Sequence, residues 1–64
     1  MEKTTIKNTE TGITKNCDIL FKNHLRLELV LEKTTIKIIL KKKSPLDKFY
    51  LGKFSNMDFI SSGN

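Results

Sequence analysis

Between His24 and Lys43 apolar and polar residues alternate with a period of two. Leu25, Leu27, Leu29 and Leu31 fall on one side of an extended chain, with Arg26, Glu28, Val30 and Glu32 on the other. After a break, Ile36, Ile38 and Leu40 share one face, while Lys33, Thr35, Lys37, Ile39, Lys41 and Lys43 share the opposite one. Successive strand residues point to opposite faces, so the pattern predicts a half-buried antiparallel hairpin. Leu, Glu and Lys are also good helix formers, but strict alternation over this length argues against a helix. The β-branched residues Thr34, Thr35, Ile36, Ile38 and Ile39 reinforce the second strand.

Parity alone proposes the register. Setting Leu31 opposite Ile36 places Leu29 opposite Ile38 and Leu27 opposite Leu40, which fills one face with apolar pairs. Val30 then opposes Lys37, Glu28 opposes Ile39 and Arg26 opposes Lys41. A slip of one residue sets leucines against lysines, so the register is well specified. Lys33-Thr34 lacks the glycine or asparagine that a two-residue turn favours; a four-residue loop from Glu32 to Thr35 keeps the parity.

The flanks read in the same way. Thr4 to Asn8 is a short first strand, and Glu10-Thr11-Gly12 is a turn. A second strand starts near Ile13 to Lys15, with Cys17, Ile19 and Phe21 on one face and Asp18, Leu20 and Lys22 on the other. Asn23-His24 turns the chain into the central hairpin. Ser44-Pro45 ends the lysine-rich strand, because proline has no N–H for the ladder. Lys48 to Phe54 reads as another strand, in which Gly52 marks a bulge or a close backbone approach. Ser55-Asn56 leads into a last strand from Met57 to Ile60. The expected fold is therefore all-β: a small five- or six-stranded antiparallel meander or barrel-like sheet. No glycine or proline occurs between Ile13 and Ser44, so residues 1–64 form a single small domain, with 61–64 expected to fray.

The hexapeptide Glu-Lys-Thr-Thr-Ile-Lys occurs twice, at Glu2 to Lys7 and at Glu32 to Lys37. At the same offset, Ile19, Leu20 and Phe21 fall on Phe49, Tyr50 and Leu51, and Leu27 to Val30 fall on Met57 to Ile60. Two pseudo-repeated three-stranded halves follow if this reflects duplication; short words also recur by chance in a chain rich in Lys, Thr, Ile and Glu.

Composition narrows the means of stabilisation. A chain of 64 residues buries only about 60% of the surface exposed when unfolded. Cys17 is the only cysteine and His24 the only histidine, so no internal disulfide can close and the cysteines and histidines of a structural zinc site are missing. Self-association is the remaining expectation, as a homo-oligomer. No apolar run approaches the 18 or so residues of a membrane helix, and the N-terminus lacks an apolar signal core; a cytoplasmic location without membrane contact is expected.

The formal net charge of +5 lies entirely in the second half. Residues 1–32 balance five basic against five acidic side chains, whereas residues 33–64 carry seven lysines against Asp47 and Asp58. That asymmetry points to nucleic acid or an acidic protein surface as partner. The candidate contact residues are Lys33, Lys37, Lys41 and Lys43 on the charged strand, followed by Lys48, Tyr50 and Lys53. In a strand Lys41 and Lys43 lie about 6.7 Å apart along one face. Aromatic rings among lysines suit a single-strand binder, with Tyr50 expected outside and Phe49, Phe54 and Phe59 in the core. The competing account gives these lysines to cross-strand pairs with Glu28 and Glu32, or to blocking edge-to-edge aggregation.

Catalytic chemistry finds no support. No spacing joins a nucleophile, base and orienting acid, no glycine-rich phosphate loop occurs, and no cofactor or metal site is expected. The sequence reads as a non-enzymatic binding module contacting nucleic-acid backbone with low sequence specificity. The alternative is a protein-interaction module, a homodimeric adaptor or small phage-type inhibitor that covers a partner's surface.

Overall fold

Every alternating segment becomes a strand. The structure, a computed structural model, describes residues 2–63. It contains β1 (Lys3–Asn8), β2 (Thr14–Lys22), β3 (Arg26–Leu31), β4 (Lys37–Lys41), β5 (Tyr50–Phe54) and β6 (Met57–Ser61). All neighbours are antiparallel and follow chain order, and β1 pairs with β6 through Lys7↔Ile60 and Asn8↔Phe59 to close a barrel. The described residues include no helix that is long and apolar enough to cross a membrane.

The central hairpin adopts the register that parity proposes, from Arg26↔Lys41 to Val30↔Lys37. Its loop is the four-residue form: Leu31 N donates to Ile36 O at 2.9 Å, and Lys33 takes a left-handed φ of 64°. Thr34 secures it, donating from Oγ1 to Leu31 O and accepting from Ile36 N. At the β2–β3 turn, Asn23 Oδ1 accepts from the backbone of Leu25 and Arg26.

The core takes side chains from all six strands: Ile6, Cys17, Leu27, Leu29, Ile38, Leu40, Tyr50 and Phe59. Thr4 and Ser61 are also buried, their hydroxyls 3.3 Å apart. Gly52 faces inward where β4 and β5 nearly touch, the close approach its position suggested. That seam has a single register pair, Lys41↔Leu51.

Several expectations change. A bulge between Ile19 and Phe21 reverses the alternation of β2, so Phe21 lies outside, where its ring carries Arg26 at 5.0 Å. Lys22 opposes buried Leu27 and donates to Gly63 O at 2.9 Å. β5 starts at Tyr50 rather than Lys48, because Asp47 Oδ2 accepts from the backbone of Lys43 and Ser44 and holds the preceding segment as a loop. Two contacts bear on the fraying expected of 61–64: Ser61 completes β6, and Gly63 is buried with its N–H on Ser61 Oγ. Asn64 lies outside the described residues.

Each half does contribute three strands, yet the two identical hexapeptides take unlike backbone. Lys3 to Lys7 belong to β1 with Thr4 and Ile6 inside, whereas Glu32 to Thr35 form the β3–β4 loop and Ile36 closes it against Leu31. Closure also removes the free strand edges that would have let a partner add a strand.

Candidate nucleic-acid interface

The lysines expected to form one row are spread over the length of the barrel. Alternation along β4 turns Ile38 and Leu40 inward and leaves Lys37, Ile39 and Lys41 outside. Lys33 lies in the β3–β4 loop at one end; Lys43 and Lys48 lie in the β4–β5 loop at the other, so β4 ends before Lys43 can join the row. Lys37 is engaged within the protein: its Nζ is 2.9 Å from Glu28 Oε1, and Arg26 approaches the other oxygen at 3.2 Å. The hydrogen bond from Lys37 holds the Glu28 carboxyl below its ordinary range, and the charges of Lys37 and Arg26 act in the same direction. Lys3 likewise bridges Glu32 at 3.0 Å and Asp18 at 3.1 Å, bonds that hold its ammonium above the usual lysine range. Among the described residues, no ion pair engages Lys7, Lys41 or Lys53.

Tyr50 does not stack on anything outside the barrel. It is 2% exposed, its hydroxyl donates to Asn23 O at 2.6 Å, and Lys42 Nζ covers its ring at 4.4 Å. Its position as the first inward residue of β5 is the reason, and alternation then puts Phe49 outside. Phe49 is about half exposed on the outer wall, along a shallow cleft shared with Lys7, Ile60, Thr5 and Ser62. Of the phenylalanines expected in the core, only Phe59 is buried; Phe54 reaches the open end of the barrel.

Barrel closure assembles a different surface. The register pairs Arg26↔Lys41, Lys41↔Leu51, Leu51↔Ile60 and Ile60↔Lys7 form one transverse row across β3, β4, β5, β6 and β1 on the outer face. Adjacent strands are about 4.8 Å apart, so Lys41 and Lys7 stand three spacings from each other with Leu51 and Ile60 between them. One row along, Lys53 opposes Asp58. The arrangement is a narrow apolar strip bracketed by cations, with an aromatic ring at its side. Lys7, Phe49, Leu51 and Ile60 escaped the sequence reading. Alternation in β1 already marks Lys7 as outward-facing, but only the β1–β6 pairing brings it to Ile60.

Other reactive side chains have structural surroundings. Cys17 is fully buried, and burial, with the charges of Asp18 and Glu32, pushes its thiol up to about 11. His24 is an exposed turn residue. Among the described residues, no three His, Cys, Asp or Glu side chains come together to hold a metal ion. Compared with family models, curated proteins and solved structures, the chain matches none.

Proposed function

We propose that this protein is a non-enzymatic binding module that contacts single-stranded nucleic acid with low sequence specificity, using the outer wall formed by β4, β5, β6 and β1. The observation that carries this reading is the row Lys41–Leu51–Ile60–Lys7 with Phe49 beside it. Ammonium groups without acidic partners neutralise phosphates, while an exposed ring and an apolar strip accept bases by stacking, without selecting among them. Lys53 widens the cationic margin, and Lys43 and Lys48 in the β4–β5 loop extend it toward one end. Lys37 contributes least, because Glu28 already holds it.

Fluorescence anisotropy with a labelled mixed-sequence single strand, repeated across salt concentrations, tests this. Three phosphate contacts predict a slope of log affinity against log salt of about −2. Phe49→Ala is expected to weaken binding by about 1–3 kcal/mol, while Tyr50→Phe leaves it unchanged. The reading fails if micromolar protein does not bind at low salt, or if Lys7, Lys41 and Lys53 can all become Ala without effect.

A second reading has its own support. Leu51 and Ile39 are each about half exposed on this wall, which also suits a protein partner with an acidic rim around an apolar centre. A homodimeric adaptor or a small inhibitor covering such a partner would bind with weaker salt dependence and independently of nucleic acid.

A further inference from the structure

Up-and-down connectivity gathers the β1–β2, β3–β4 and β5–β6 turns at one end of the barrel. A cleft of about 350 Å³ opens there, within the range of small-molecule sites. Its walls differ in chemistry. Toward β3, β4, β5 and β6 they are apolar, formed chiefly by Leu31, Ile36, Ile38, Phe54, Met57 and Phe59. Ile36, Phe54 and Met57 also keep more than a third of their surface exposed, which is costly for side chains of this kind. Toward β1 and β2 the wall is mixed, with Ile6 and Ile13 beside Asn8, Thr11 and Lys15.

Lys15 is unusual in its placement. It opposes Ile6, which is 1% exposed, and stands two residues from fully buried Cys17, so its side chain leaves from the inner face of the sheet. Its side chain is nevertheless solvent-exposed, so the hydrated ammonium borders the cleft without requiring an anionic partner. Among the described residues Lys15 has none. Glu32 shares a neighbouring shallow cleft with it, but that carboxylate is held by Lys3. Asn8 adds a second donor. It is 7% exposed, and its Oδ1 accepts from the backbone of Glu10 and Thr11, while its Nδ2 has no partner among the described residues. No fully sealed side-chain nitrogen lacks a partner, so Nδ2 remains accessible, and the cleft is what Asn8 lines.

We propose that this cleft binds a small monocarboxylate with an apolar body, of the size of octanoate or phenylpropionate. The carboxylate meets Lys15 Nζ and Asn8 Nδ2, and the body lies against Ile36, Phe54 and Met57. A single cation and one amide match one negative charge; a phosphate group, with its greater charge and further oxygens, needs more donors than this wall supplies. The site is at the end of the barrel and is argued independently of the nucleic-acid reading of the outer wall.

Titration of the labelled protein with octanoate, followed by amide resonances, tests the proposal. Saturable shifts are expected at Ile13, Lys15, Ile36, Phe54 and Met57, with octylamine binding at least about tenfold more weakly. Lys15→Met is expected to weaken octanoate about tenfold while leaving octanol unaffected, a difference that loss of structure would not produce. Met57→Glu, at the exposed rim, provides a second variant expected to repel the carboxylate. The proposal is overturned if no saturable shift appears by about 10 mM octanoate, or if octanol binds as tightly as octanoate. It is equally overturned if the same resonances shift on dilution of the ligand-free protein, which would show the cleft filled by a second copy of the chain.

Discussion

Gly52 is inward-facing beside the backbone of β4, in a space too small for a side chain. A Cβ at this position lies 2.5 Å from Leu40 Cδ2 and 2.6 Å from the Ile39 carbonyl oxygen, and backbone cannot move aside as a flexible side chain can. Gly52→Ala is therefore expected to lower stability by about 1–3 kcal/mol in urea denaturation. Gly12 is a useful contrast, since it has a positive φ of 75° but open space around it, so only backbone strain opposes its replacement. An unchanged midpoint for Gly52→Ala would show that the seam is looser than described. Cys17 exemplifies a different constraint. Its folded thiol titrates at about 11 rather than 9.0, so the folded state retains the proton longer than the unfolded state does. The associated stability is complete below about pH 9 and declines as pH rises toward 11. Cys17→Ala is expected to remove that alkaline component from the stability profile. A thiol reagent at pH 8 should label wild-type protein at the rate of its opening; rapid labelling in the absence of denaturant would contradict the burial.

The strands show how local chemistry and register combine. At the β5–β6 turn, Ser55 and Asn56 both adopt positive φ, 53° and 63°, between the paired residues Phe54 and Met57. Two left-handed residues are the requirement of the two-residue hairpin turn that matches strand twist, and serine meets it poorly. Replacing Ser55-Asn56 by Asn-Gly is expected to stabilise the hairpin by about 1 kcal/mol through relief of left-handed strain, measured as a higher urea midpoint; destabilisation would mean that another contact of these side chains outweighs the backbone preference. The bulge in β2 acts over a longer stretch. By adding Leu20 to the strand it exchanges the faces of Phe21 and Lys22, which moves an aromatic ring outside and brings a lysine to the end of the barrel against Gly63. Alternation in the sequence cannot disclose this, because a bulge is recognised only against the strand it pairs with.

At the scale of the whole molecule, closure decides which charges meet. Three of the five acidic residues of the first half are drawn into pairs: Asp18 and Glu32 with Lys3, and Glu28 with Arg26 and Lys37. The cations left outside these pairs come from both halves, with Lys7 joining Lys41 and Lys53. The pairs also set the acid side of the stability profile. The Glu28 carboxyl is held below its usual 4.5, so its contribution is present above that pH and is lost as pH falls through the lower folded value. Lys3 behaves in the opposite sense: its contribution is complete below 10.5 and is lost as pH rises through the higher folded value. Stability measured against pH should consequently be flat between about pH 5 and 9. Glu28→Gln should flatten the acid limb; an acid limb identical to wild type would show that the pair is too solvated to matter, as many surface pairs are.

The sequence by itself determined the strands and the central hairpin, because period-two patterning with one buried face leaves only one register in which Leu27, Leu29, Ile38 and Leu40 all avoid water. It also determined the class of fold, since segments this short and regularly spaced can bury their apolar faces only by pairing with one another. The tertiary structure alone decided the rest. Identical hexapeptides became a strand in one place and a loop in the other, because the first copy has both β2 and β6 beside it while the second must reverse the chain. Tyr50 went inside and Phe49 outside because the β4–β5 loop sets the point at which alternation starts. The outer row from Arg26 through Lys41, Leu51 and Ile60 to Lys7, and the cleft where Lys15 faces apolar side chains, both depend on joining β1 to β6. That pairing links residues at opposite ends of the chain, and periodicity, a local property, carries no information about it.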